Sequence, residues 1–249
     1  MKTARLAIHQ LRYEQRTYWR MPQGVFFTFA LPVMMLVVFA TLNSGYTVKA
    51  FQGRRFVEYF LPGMLAFGLI TATYGNLAAR FVFRRETGQL KRLRATPLPT
   101  SVFVTGIVAN AVIVSILVSA LVLGTGMAFY DVSLPSAWPE LAFVLMVGSA
   151  AFCALGLGLA TFIPNSDAAD AMVFGTLLPV LFISGVFQVV PNDSVMAHIA
   201  AAFPVRHLFQ STLDVYAGDG IPWLHLLVVI AWGALGGVVA VRRFRWEPR

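Results

Sequence analysis

Four histidines, eleven carboxylates and one cysteine are the side chains of this 249-residue sequence that could carry acid–base, nucleophilic or metal chemistry. Their spacing supports none of it. His9, His198, His207 and His225 lie in or near segments that border apolar runs. His198 and His207 are near enough in sequence to approach one another, but no acidic motif accompanies them, so no metal site is expected. Cys153 sits inside an apolar run with no second thiol to pair with and reads as a small core-facing residue. No Ser/His/Asp set has the spacing of a nucleophilic triad. Neither a G-x-x-x-x-G-K-[S/T] run nor a Gly-rich dinucleotide fingerprint occurs, so no nucleotide cofactor is expected on this chain. Asn165-Ser166-Asp167 with Asp170 offers either an ion site or a helix N-cap with acids in the first turn, and the cap is the simpler reading.

One segment is patterned. Arg84–Pro99, RRETGQLKRLRATPLP, carries five Arg or Lys and one carboxylate, Glu86, in sixteen residues. Around it the chain is nearly unbroken apolar sequence. Overall 58% of residues are hydrophobic and only 12% charged, against roughly 25% charged in a soluble domain. An Arg or Lys at the centre of a bilayer costs about 2.5–3.5 kcal/mol on insertion scales. The segment therefore faces water between two membrane spans, and its residue order suits a docking surface for another protein. A net charge of +8 would suggest nucleic acid in a soluble protein. In a membrane protein the same excess is the basic bias of inside loops, so no nucleic-acid partner is expected.

The elements that must hold this segment are six expected spans, at 25–42, 59–79, 102–129, 141–163, 171–190 and 223–241, scaled against the ~20 residues that cross a bilayer. The fourth and fifth, separated by Pro164–Asp170, read as a tight helical hairpin. With the N-terminus inside, inward segments hold fifteen Arg and Lys, and outward segments four: Lys49, Arg54, Arg55 and Arg206. That balance places both termini in the cytoplasm. Residues 1–22 lack the apolar core and cleavage site of a signal peptide and form an amphipathic helix instead. Ala4, Ile8, Leu11, Gln15, Tyr18 and Trp19 share one stripe, and Arg5, His9, Arg12, Arg16 and Arg20 the next. Such a helix lies in the headgroup plane with anionic lipid as its partner. Residues 191–222 are too apolar for a plain loop and are divided by Pro204. They read as two short helices that dip into the outer leaflet and return. Pro32 and Pro179 are expected to kink the first and fifth spans. Gly233-x-x-x-Gly237, Gly156 and Gly158 are expected to allow close helix packing. No internal repeat divides the chain, so 1–249 reads as one all-α transmembrane domain of six spans. The middles of those spans carry no Asp, Glu, Lys, Arg or His. Ion-coupled transporters place such groups there and channels need a selectivity element, so transport by this chain requires energy from elsewhere.

Written with its flank as F-R-R-E-T-G-Q-L-K-R-L-R-A-T-P-L-P, the charged segment resembles the cytoplasmic motif between the second and third spans of type-2 ABC exporter permeases. The spacing of Glu86, Gly88, Leu90, Leu93 and the Thr96-Pro97 stop carries the resemblance. So do the basic interfacial helix, Leu61-Pro62-Gly63 opening the second span and Phe182-Ile183-Ser184-Gly185-Val186-Phe187 ending the fifth. The likeness covers the whole chain and is to the daunorubicin-resistance type of drug exporter. It implies a membrane subunit that is not itself an enzyme, multi-pass in a bacterial plasma membrane and paired as a homodimer or heterodimer. ATP and magnesium would sit on two copies of a separate ABC ATPase. It further implies that Arg84, Arg85, Glu86, Thr87, Gly88, Gln89 and Leu90 couple to that ATPase. The first, second and fifth spans would line the substrate path, with Phe29, Met34, Phe67, Thr71, Tyr74, Phe182 and Phe187 on its walls. Local physics agrees with docking: Glu86 near a helix start gains from the dipole, Leu90 and Leu93 share a face, and Thr87–Gln89 form a small polar tip. Abundant Phe leans the hydrophobic substrate towards amphipathic drugs or lipid-like compounds. A lipid-linked glycan is the alternative within the class. A lipid-modifying membrane enzyme is the alternative outside it, and would need clustered acids or histidines at one interface.

Overall fold

A computed structural model of the chain describes residues 2–48, 51, 53–95, 99–191 and 193–243. The Thr96-Pro97 stop, Lys49, Arg245 and Arg249 lie outside them, as do the side chains of Lys2, Ala4, Leu93 and Arg94. The described chain is all-α apart from one two-residue hairpin. Helix α1 (Lys2–Trp19) leads into α2 (Pro22–Leu42), then strands β1 (Thr47–Val48) and β2 (Arg54–Arg55) pair antiparallel. Helix α3 (Phe56–Ile70) runs through a π turn (Thr71–Gly75) into α4 (Asn76–Glu86). The short α5 (Gln89–Arg94) precedes α6 (Thr100–Tyr130), α7 (Trp138–Ala160) and α8 (Asp167–Ile183). Then come α9 (Val195–Ala200), α10 (Pro204–Ala217) and α11 (Trp223–Arg243).

Among the described residues, five helices are long and apolar enough to cross a membrane: Gly24–Leu42, Phe56–Glu86, α6, α7 and α11. Expected and observed boundaries differ most for the second and fifth spans. The second extends from 59–79 to Phe56–Glu86 because Thr71 and Thr73 return their hydroxyls to the Phe67 and Leu69 carbonyls. Those bonds widen one turn into a π turn instead of ending the helix. The fifth ends at Ile183, not 190. There Ser184 folds both its N–H and its hydroxyl back onto the Val180 carbonyl, and the Tyr59 hydroxyl donates to the Gly185 carbonyl at 3.1 Å, turning the chain away. At 17 residues, α8 is about 26 Å long.

The α3–α4 helix is the axis of the fold: 89% of its most apolar window is buried, against 22% in α2. Helices α2, α6 and α10 pack around α3, and the α4 half meets α7 and α8. Helix α7 takes α11 as its main neighbour while α8 leans on α4, the π turn and α9, so no tight α7–α8 hairpin forms. A cavity of about 180 Å³, lined by Tyr74, Phe152, Leu177 and Trp232, lies between them. A hydroxyl clasp, Ser115 Oγ to Ser149 Oγ at 2.8 Å, joins α6 to α7. The apolar 191–222 region contains two short helices as expected, with Pro204 as the first residue of α10.

The α7–α11 seam depends on close backbone approach. A Cβ on Gly236 would lie 2.7 Å from Leu155 Cα, and one on Gly233 2.7 Å from Ala151 Cα. The expected Gly233-x-x-x-Gly237 pair is thus corrected to Gly233 and Gly236, because a Cβ on Gly237 meets only Ala154 Cβ at 3.9 Å. Gly236→Ala should lower stability by about 1–3 kcal/mol through overpacking against backbone that cannot rotate away, while Gly237→Ala leaves it unchanged. Thermal unfolding in detergent distinguishes the two; equal midpoints would refute the seam.

Candidate functional site

The patterned segment turns at the end of the bundle where α1, α4, α5 and the start of α6 meet. Helix α4 ends at Glu86, and Gly88 adopts φ +70°, a left-handed conformation that costs other L-residues about 1–2 kcal/mol. That break sets α5 at a new direction and leaves Thr87 exposed at the corner.

Each charged residue before the break has a structural partner. Arg84 is buried and makes a two-pronged bond to Glu14 of α1, Nη1 to Oε1 at 2.8 Å and Nη2 to Oε2 at 2.6 Å. Glu14 is fully buried, also accepts from Gln10 Nε2 at 2.8 Å, and lies 3.5 Å from Arg80 Nη2. The Arg80 guanidinium in turn stacks over the Tyr18 ring. Arg85, also buried, donates to the Ala160, Ile163 and Pro164 carbonyls. It thereby fills acceptors that the C-terminus of α7 leaves open and sets a cation at the negative end of that helix. Glu86 is exposed, and its Oε2 accepts the Ser166 N–H at 2.7 Å.

This geometry revises the expected roles. Glu86 ends α4 instead of starting a helix, and its carboxylate serves the positive N-terminus of α8. The Asn165-Ser166-Asp167 run is a cap, with Asn165 Oδ1 accepting the Ala168 N–H at 2.9 Å. No group of three or more potential metal ligands occurs among the described residues. Leu90 is fully buried beside Phe81, Phe103 and Ile107, so it packs within the chain and is not free for a partner. The exposed remainder of the corner is Glu86 and Thr87, with Gly88 and Gln89 half-buried and Lys91 and Arg92 exposed on α5.

Helix α1 is also revised. Its buried stripe is polar, Gln10, Glu14 and Tyr18, whereas Ile8 and Trp19 from the expected apolar stripe are exposed together with Arg5, His9, Arg12, Arg16 and Arg20. Glu14 was missed because it belongs to neither expected stripe. The available signal was the four-residue spacing of Gln10, Glu14 and Tyr18, which puts them on one helix face. His207 does not meet His198. Its Nδ1 lies 2.7 Å from His225 Nδ1 while its Nε2 bonds the Ala201 carbonyl, and His198 Nδ1 bonds the Ser194 carbonyl.

The expected path residues lie on α2, on the α3 and π-turn stretch of the second span, and at or just past the end of α8. Phe67, Phe187 and Phe182 form an edge-to-face ladder with centroids 5.2 and 5.4 Å apart. Phe29 stacks on Trp19, Met34 is exposed on α2, Thr71 bonds back within the π turn, and the Tyr74 hydroxyl bonds Thr176 Oγ1 at 2.9 Å. Phe67 is only 3% exposed, whereas Thr71 and Tyr74 of the same span are half-buried.

The sequence profile of the ABC-2 type transporter family matches residues 8–216, which runs from within α1 to the last turn of α10. The chain belongs to the ABC-2 type transporter family. It is an all-α, multi-pass membrane protein of that family. This ABC-2 chain is 25% identical over 154 residues to the inner membrane transport permease YadH of Escherichia coli strain K12, covering 62% of the chain and 59% of YadH. It is 26% identical over 165 residues to YbhR of the same strain, whose name attaches it to multidrug ABC transport, covering 65% of the chain and 45% of YbhR. It is 23% identical over 184 residues to the permease YvfS of Bacillus subtilis strain 168, covering 72% of the chain and 74% of YvfS. The chain thus spans about three fifths of YadH and less than half of YbhR. ABC-2 permeases in general work with ABC ATPase partners.

Proposed function

We propose that this ABC-2 chain is the membrane subunit of an ATP-driven exporter for amphipathic drugs or lipid-like compounds. Two copies, or one copy and a related permease, form the path, and two separate ATPase subunits supply ATP, magnesium and hydrolysis. The protein is read as one domain in a bacterial inner membrane, with both termini cytoplasmic. Helix α8 serves as the fifth of six spans, α11 as the sixth, and α9 and α10 lie in the outer leaflet. Kinship with YbhR supports the drug class, and the absence of ionisable residues from the span middles supports an external energy source.

The observation that carries this reading is the wiring of the exposed Glu86–Thr87 corner. Arg84 ties it to α1, Arg85 to the end of α7, and Glu86 to the start of α8. A push on the corner by a closing ATPase is therefore delivered to three helices at once, as rigid-body displacement needs. Arg84 and Arg85 transmit, and Glu86, Thr87, Gly88 and Gln89 make the contact.

The test co-expresses the chain with a candidate ABC ATPase and reconstitutes both in vesicles. A Glu86→Ala, Gly88→Ala double variant should keep its fold and the ATPase its hydrolysis, while ATP-dependent export falls at least tenfold. Undiminished export by that variant refutes the docking role. Export that ignores ATP and collapses with the proton or sodium gradient refutes the class.

A further inference from the structure

A groove of about 500 Å³ runs between α1, the Gly88–Gln89 turn with α5, and the first turn of α6. His9, Gln10 and Tyr13 line it from α1, Gln89 and Arg92 from α5, and Phe103 from α6. Arg84 lines it from α4, so its polar lining is rich in donors: an imidazole, a phenol, two amides and two guanidiniums, of which Gln10 and Arg84 already donate to Glu14. No carboxylate is among its described lining residues. The nearby acid, Glu14, is fully buried and already holds Arg84 and Gln10. Arg80 and Arg84 together outnumber that one carboxylate, so a surplus positive charge lies in and behind the groove wall.

Its depth places it at the membrane boundary. Phe103 is three residues inside the start of the 31-residue α6; that helix is about 46 Å long against a hydrocarbon core of about 30 Å, so its first turn falls in the headgroup layer. Along α1, Ile8, Tyr13 and Trp19 are exposed beside Arg5, Arg12 and Arg16, the surface of a helix lying in that boundary.

We propose that this groove is a specific site for an anionic phospholipid. Arg92 and His9 meet the phosphate, and Tyr13 donates to its oxygens. Basic pockets between helices at the inner surface are where such headgroups bind. The site rests on the proposed membrane reading of α1, and it adds a defined ligand position between that helix and the ATPase-coupling corner. Bound lipid would bridge α1 and α5 through its phosphate, so that membrane composition sets how firmly α5 is held.

The test uses the full chain in nanodiscs of phosphatidylcholine doped with phosphatidylglycerol, with retained lipids read by native mass spectrometry. One phosphatidylglycerol per chain should be retained in preference to phosphatidylcholine. Arg92→Gln should lower that preference about fivefold, the factor one Arg supplies at an anionic surface, and His9→Gln should lower it further. Arg5→Gln is the control for diffuse attraction, since Arg5 is exposed on α1 and does not line the groove. An equal loss in Arg5→Gln overturns the site in favour of general surface charge. Displacement by millimolar glycerol phosphate or inorganic phosphate overturns the lipid as occupant and assigns the groove to a soluble phosphate. Loss of ATPase co-purification by Arg92→Gln with unchanged lipid preference assigns it to the ATPase and overturns the proposal. Export driven by the ATPase reports separately on the proposed function, because Arg92→Gln leaves Glu86–Gly88 intact.

Discussion

Glu14→Ala is expected to destabilise the protein by about 3–5 kcal/mol, the cost of removing one member of a buried ion pair. The carboxylate is fully buried and is the counter-ion of Arg84 and Arg80. Without it two guanidiniums remain in a poorly hydrated wedge between α1 and α4, and Gln10 loses its acceptor. The thermal unfolding midpoint in detergent and the yield of monodisperse protein should both fall sharply. Arg12→Gln, on the exposed side of α1, should stay within about 0.5 kcal/mol of the unmodified chain. The double variant Glu14→Leu, Arg84→Met should recover much of the loss, because an apolar pair of similar size replaces a buried ion pair at little cost. If Glu14→Ala unfolds like Arg12→Gln, the network does not hold α1.

The second large effect is expected at Arg85. Its guanidinium is the donor for carbonyls at the end of α7, where Ala160 and Ile163 are fully buried. Arg85→Met keeps the length of the side chain and removes every donor. Each buried carbonyl left unpaired costs about 1–3 kcal/mol, so the summed loss approaches that of Glu14→Ala. Arg85→Lys should fall between the two, since an ammonium is a point charge that cannot span the carbonyls as the planar fork does. Hydrogen exchange localises the effect. Amides in the last turn of α7 and the first turn of α8 should lose protection in Arg85→Met while those of α2 keep theirs. Uniform loss across the chain would mean that Arg85 supports the whole core rather than this junction.

Both predictions concern residues whose importance was only partly visible beforehand. Arg84 and Arg85 stood out as charges between apolar runs, and a docking surface was the natural reading of such a run. Folding gives them the opposite placement: both are buried, and the exposed corner is their uncharged and acidic continuation, Glu86 and Thr87. Charge counting tells which side of a membrane a segment faces, but it does not tell whether the charge points to water or to a partner within the chain. Glu14 shows the same limit from the other side. Its partner is seventy positions away, and no periodicity within α1 encodes where α4 will lie.

The helices themselves were legible because each follows from local chemistry. Without water, a segment of apolar residues satisfies its backbone only as a helix, and the basic runs and prolines between segments mark where helices stop. That reasoning located α2, α3, α6, α7 and α11 and the two short helices α9 and α10. It failed at the end of α8, where the stop comes from Ser184 and from the hydroxyl of Tyr59 on a different helix. It also chose Gly237 over Gly236 at the α7–α11 seam, since glycine spacing gives a face but not the crossing point that brings two backbones together.

What the sequence determined by itself is therefore an all-helical membrane chain, the segment that must stand in water, and the family to which that order of elements belongs. Only the tertiary structure decided how the water-facing segment is wired: Glu14 to Arg84, Arg85 to the end of α7, Glu86 to the start of α8. Helix formation in an apolar chain is a local event set by backbone hydrogen bonding. Pairing of buried charges is a global one, set by which helix ends the packing brings together.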